Sequence, residues 1–100
     1  MPTRPDLIRY FTLSPADVEF VAGHRGIANR LGVAVQLCTL WWLGFVPDRV
    51  SDAPVEAVAR LAEVLGCDPA VLADYGEREQ TRTDHLARIV AYAEIGRAHV

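Results

Sequence analysis

Gly26-Ile27-Ala28-Asn29-Arg30-Leu31-Gly32-Val33-Ala34-Val35-Gln36-Leu37-Cys38-Thr39-Leu40-Trp41-Trp42-Leu43 is the stretch that decides the fold. Ile27, Leu31, Ala34, Leu37, Cys38, Leu40, Trp41 and Trp42 leave it little polar face beyond its first turns. A helix that is apolar nearly all round belongs in an interior, so this segment is expected at the centre of the domain with the other elements packed around it. The apolar run from Leu31 to Val46 is interrupted by Gln36 and Thr39. It falls short of the ~20 apolar residues that a membrane span requires, and a buried core helix is the reading adopted.

Short helices are expected on both sides of this centre. Pro5 to Phe11 offers apolar Leu7, Ile8, Tyr10 and Phe11 as a first turn or short helix. Ser14 has the form of an N-cap, with Pro15 at the first helical position and Asp17 in the first turn, of a helix ending near Gly23. After a loop through Asp48 and Arg49, Asp52 or Ala53 opens a third helix in which Val55, Val58, Leu61, Ala62 and Leu65 form an apolar stripe and Gly66 supplies the stop. Asp68-Pro69 caps a short helix whose Leu72 and Tyr75 face inward, and Gly76 ends it. Leu86, Ile89, Val90 and Ala93 line one side of a last helix. Strand patterns are nearly absent, so the fold class expected is all-α: a compact bundle of about five short helices, helix-turn-helix-like in outline.

Apolar residues make up 51% of the 100-residue chain, and a chain of that length buries roughly 60–70% of its unfolded surface, enough for a modest core. The early charges Arg4, Asp6 and Arg9 exclude the apolar core of a secretory signal; cytoplasmic residence is expected. Cys38 and Cys67 have neither a CxxC partner nor a histidine at ligand spacing and read as buried free thiols. Gly-rich phosphate loops, HExxH and GxSxG are absent, and Asp17, Asp68 and Asp84 read as cap or first-turn residues. No catalytic residue, metal site or cofactor is expected in this chain.

All ten basic residues are arginine, in a chain of formal charge −3. Strong non-specific nucleic-acid binding comes from phosphate neutralisation, so an acidic chain binds DNA only if folding gathers its arginines. Two groups of residues suit that role. Arg25, Asn29 and Arg30 stand at the N-terminal end of the central helix, where free N–H groups and the helix dipole favour phosphate; arginine and asparagine also read guanine and adenine edges. Arg78, Arg82 and His85 follow at i, i+4, i+7, with Gln80 and Thr81 as further donors. The plainer account of each group is a solvated helix start or a salt-bridged surface, with His85 a packing residue. Arg82 lies on or beside the apolar face, which leaves two explanations: Thr81 is the N-cap and Arg82 merely the first helical residue, or Arg82 reaches into a shared site. Trp41, Trp42, Tyr10 and Phe11 read first as core and rim anchors rather than stacking platforms.

Arg25 to Leu37, the run Arg78-Glu79-Gln80-Thr81-Arg82-Thr83-Asp84-His85-Leu86, Tyr10-Phe11-Thr12-Leu13, and Leu65-Gly66-Cys67-Asp68-Pro69 followed by Tyr75 occur in order along the chain. Taken together they resemble the N-terminal domain of the large transposases of Tn-three-type, class II replicative transposons, over Leu7 to Tyr92. The resemblance implies a module that binds double-stranded DNA at the transposon's terminal inverted repeats through Arg25, Asn29, Arg30, Arg78 and Arg82. It also implies that the remaining domains of the transposase are partners, one of them a downstream carboxylate domain that carries out metal-dependent strand transfer, with homodimerisation of the full-length protein left open. The alternative is a helical interaction module that packs on the rest of the transposase. Residues 1–94 are taken as the domain. Ile95-Gly96-Arg97-Ala98-His99-Val100 departs from the family pattern, corresponds to the in-frame translation of a common sequencing adapter, and is read as adapter read-through or a tail.

Overall fold

The computed structural model describes residues 4–44, 53–75 and 79–98. Its elements are α1 (Arg4–Tyr10), α2 (Pro15–Ala22), α3 (Ile27–Leu43), α4 (Val55–Leu65), a 3-10 helix (Pro69–Asp74) and α5 (Glu79–Ala98). Among the described residues there is no strand, and the chain is a small all-α bundle.

Helix α3 is the axle of this bundle. Every residue from Leu31 to Thr39 is buried, and α1, α2, α4, the 3-10 helix and α5 all pack on it. Leu31, Val33, Ala34, Leu37 and Cys38 meet Phe11, Val21, Leu61, Ala62 and Ile89 in a single core. Trp41 and Trp42 sit half-buried against that core, Trp42 edge-on to Phe11 with ring centroids 5.7 Å apart. Both tryptophans are thus anchors, as their place at the end of an apolar helix implied.

Local chemistry sets the helix ends. Ser14 Oγ accepts from Asp17 N and the Asp17 carboxylate accepts from Ser14 N at 2.9 Å, a complete capping box with Pro15 at the first helical position. Gly66 closes α4 in the left-handed region at φ 72°. Asp68 Oδ1 accepts from Ala70 N at 2.8 Å and starts the 3-10 turn.

Two boundaries and one inward-facing residue are corrected. Helix α4 begins at Val55, not at Asp52 or Ala53, because the proline ring at Pro54 holds the preceding residue away from helical backbone and Pro54 itself is extended at ψ 133°. Val55 is 83% exposed, so the inward stripe is Ala57, Val58, Leu61 and Ala62. Helix α5 starts at Glu79, which places Thr81 inside the first turn rather than at the N-cap; a glutamate at that end suits the helix dipole. The expected loop through Asp48 and Arg49, and the stop at Gly76, lie outside the described residues.

Gly32 is where the bundle is tightest. The buried Tyr75 ring lies directly on it, and a Cβ there would overlap the ring itself. Alanine is intrinsically the better helix former by ~1 kcal/mol, yet overpacking a full core costs ~1–3 kcal/mol. Gly32→Ala is therefore expected to destabilise the domain despite its propensity gain, measured as a lowered urea midpoint.

Candidate nucleic-acid interface

The α2–α3 junction is held by its own polar groups. His24 is buried at 6% exposure, and its Nδ1 lies 3.1 Å from Phe20 O and 3.3 Å from Val21 O. Both partners are carbonyls, so Nδ1 carries the proton. In the neutral ring Nε2 is then a bare acceptor, and it is buried without a hydrogen-bond partner. Arg30 Nε donates to His24 O at 2.9 Å, and Asn29 Nδ2 donates to Arg25 O at 2.7 Å. Arg25 is exposed, and no described side chain or carbonyl holds its guanidinium.

From this junction a chain of polar groups runs into the core. The His24 ring stands edge-on to His85 of α5, centroids 5.0 Å apart at 83°. His85 Nδ1 is 2.9 Å from the Tyr75 hydroxyl, which donates its proton to Gln36 Oε1 at 2.9 Å. A phenol has one proton to give, so His85 Nδ1–H donates to the Tyr75 oxygen. Burial holds the His85 imidazole below its ordinary range; His24 and Arg88 push the same way and Asp84 opposes them. His85 is the packing and hydrogen-bonding histidine that the sequence favoured.

A second tie lies two helical turns further along α5. The Tyr92 ring stacks on Phe20 at 4.2 Å, and its hydroxyl donates to Asp17 Oδ1 at 2.5 Å. Burial and then the Asp17 carboxylate push the phenol up to about 12. Asp17 thereby serves the α2 cap and the α2–α5 contact at once.

These contacts join the α2–α3 junction, which carries the first arginine group, to helix α5. Arg25 follows His24 directly, and the backbone of Arg82 lies on α5 three residues before His85, a rise of ~4.5 Å along the helix. Arg78 lies outside the described residues. Asn29 Nδ2 donates to the Arg25 carbonyl and fastens the start of α3. His24, the buried hinge of the junction, went unread in the sequence, because its neighbour His85 comes from a helix far along the chain. Arg88, exposed on the same helix as Asp84, is close enough to bear on His85.

Other reactive groups here are muted. Burial raises the Cys38 thiol, with Asp17 adding to it, and burial followed by Asp68 raises Cys67. Among the described residues no three metal-ligating side chains cluster, and no helix is long and apolar enough to cross a membrane.

The family model described as "Domain of unknown function (DUF4158)" matches residues 1–99. The chain belongs to this family. It is similar over 93 residues, at 38% identity, to the transposase for transposon Tn501 of Pseudomonas aeruginosa, covering 93% of this chain and 9% of that protein. The transposase for transposon Tn2501 of Escherichia coli is 37% identical over 89% of this chain and 9% of its own length. The transposase for transposon gamma-delta of Escherichia coli strain K12 is 37% identical over 91% of this chain, again 9% of its own length. This DUF4158 chain is thus an N-terminal transposase domain of the Tn-three type, and it spans about a tenth of the length of the curated relatives it matches.

The buried histidine gives the domain a pH signature. A folded-state value below the unfolded one means that the unfolded chain binds more protons, so the His85 contribution to stability is complete above the ordinary histidine range and is lost as pH falls through the folded value. Urea midpoints are expected to drop between about pH 7.5 and about pH 5.5. His85→Asn, whose amide still reaches Tyr75, should flatten that drop.

Proposed function

We propose that this DUF4158 domain is the module with which a replicative transposase grips the inverted repeats at its transposon's ends. The observation that supports the reading is the His24–His85 contact, which joins α5, the helix that carries Arg82, to the junction of the half-buried Arg30 and of Arg25, held by no described group. A chain of formal charge −3 binds DNA on this reading only through such a local grouping of arginines, because local charge is what phosphate contacts require. Arg25, Arg30, Arg78 and Arg82 are the proposed DNA contacts, and Asn29 supports them by holding the Arg25 backbone.

Catalysis is assigned to other parts of the transposase. Asp17 and Asp68 are engaged as caps, and strand transfer would fall to a metal-dependent carboxylate site elsewhere in the protein. The partners proposed are duplex DNA and the remaining transposase domains, inside the cell.

One observation favours the second reading, an assembly module that packs on those domains or on a second copy. Val55, Val58, Pro69 and Leu72 line an apolar groove of about 310 Å³ between α4 and the 3-10 helix. Binding of the chain to inverted-repeat and scrambled duplexes over a salt series separates the readings; equal, feeble affinity for both favours assembly. On the DNA reading, Arg25→Ala is expected to lower the salt slope of binding by ~1 without changing the urea midpoint. Arg30→Ala should lower the slope similarly and also cost ~1 kcal/mol of stability, because its bond to His24 O is lost.

A further inference from the structure

A helix that reads bases must offer an exposed face to the major groove, with side chains free to reach the base edges. Helix α3 offers little of such a face, since it is buried from Leu31 to Thr39 and only its first turn, Ile27 to Arg30, reaches the surface. Helix α4 exposes Val55, Glu56, Glu63 and Val64, and its one arginine, Arg60, is occupied: Nε donates to Phe11 O at 3.2 Å and Nη2 to Thr12 Oγ1 at 2.8 Å. Helix α2 exposes Glu19 and no arginine over its eight residues. Helix α1 is seven residues long, and its Arg9 lies over the Tyr10 ring at 5.3 Å.

Helix α5 differs in each respect. At 20 residues it is ~30 Å long. His85, Ile89 and Ala93 face the core, and Ala87, Arg88 and Ala91 lie exposed on the other side. The two alanines let the backbone approach a groove floor closely. No described group hydrogen-bonds the Arg88 guanidinium between them. Asp84 and Glu94 on the same side oppose indiscriminate phosphate binding. The face is fixed in rotation at two levels, by His85 on His24 and by Tyr92 on Phe20 and Asp17. Arg25 follows His24 in the chain and Arg30 Nε donates to the His24 carbonyl, so both belong to the junction that meets α5 at His85.

We infer that α5 is the groove-reading helix of this domain and that Arg88 is a base-contacting, specificity-determining residue, with Arg25 and Arg30 serving as phosphate clamps. The inference rests on the DNA-end reading above and adds a division of labour to it. Arginine meets guanine through two parallel hydrogen bonds to O6 and N7, a geometry that lysine does not reproduce.

The test measures binding of the 100-residue chain to the inverted repeat and to a set of its single-base-pair variants, over a salt series. For Arg88→Ala and Arg88→Lys alike, discrimination at one G·C pair should fall roughly 5- to 150-fold, the equivalent of one bidentate contact, while the salt slope of Arg88→Lys stays at the wild-type value. Unchanged urea midpoints show that both variants fold. Wild-type-like discrimination in the two variants overturns the assignment, as does a uniform loss across all duplexes, which would mark Arg88 as another phosphate contact. Failure of the wild-type chain to prefer the inverted repeat sinks the DNA-end reading itself, a result distinct from either.

Discussion

The seat of Tyr75 on Gly32 is the constraint on which the rest of this domain depends. A helix buried on every side must accept its neighbours closely somewhere, and a residue without a side chain lets an aromatic ring lie directly on the helix backbone. The depth of that ring brings its hydroxyl level with Gln36 of α3 and His85 of α5. One contact therefore ties the 3-10 segment, the central helix and the last helix together. The polar groups it buries are satisfied by one another, which is the condition under which a polar chain is tolerated in a core.

From His85 the constraint passes to His24 and so to the α2–α3 junction. Two neutral imidazoles can meet edge to face, but two imidazolium ions at 5.0 Å repel one another. The junction is therefore most secure while His85, whose burial disfavours the imidazolium, is uncharged. The Tyr92 contacts repeat the α2–α5 attachment two turns on, through a stacked ring and a shared carboxylate. With two ties, α5 can neither roll nor slide relative to α2, and its outward face is set by the interior.

The arginines of this acidic chain divide by what holds them. Arg60 is a strut between α4 and the turn after α1. Arg30 is half strut, its Nε bound to a backbone carbonyl, whereas Arg25 and Arg88 are exposed and no described group holds them. Counting arginines says little about partners in such a protein. Their engagement in the fold says more, because a guanidinium already bonded to protein acceptors has fewer donors left for phosphate or base.

Much of this was legible from the sequence by itself. The largely apolar run of Leu31 to Leu40 placed α3 in the middle, and Ser14, Pro15 and Asp17 marked the start of α2; Gly66 and Asp68-Pro69 marked their turns. Signals of this kind act between residues a few positions apart, and their physics is complete in the local chain. The separated motifs likewise sufficed to name the family. Only the tertiary structure decided that Asn29 fastens its own helix start and that His24 and His85 meet. Those outcomes depend on which helix faces rotate together when the core closes, and no periodicity within a single helix records the identity of its neighbour.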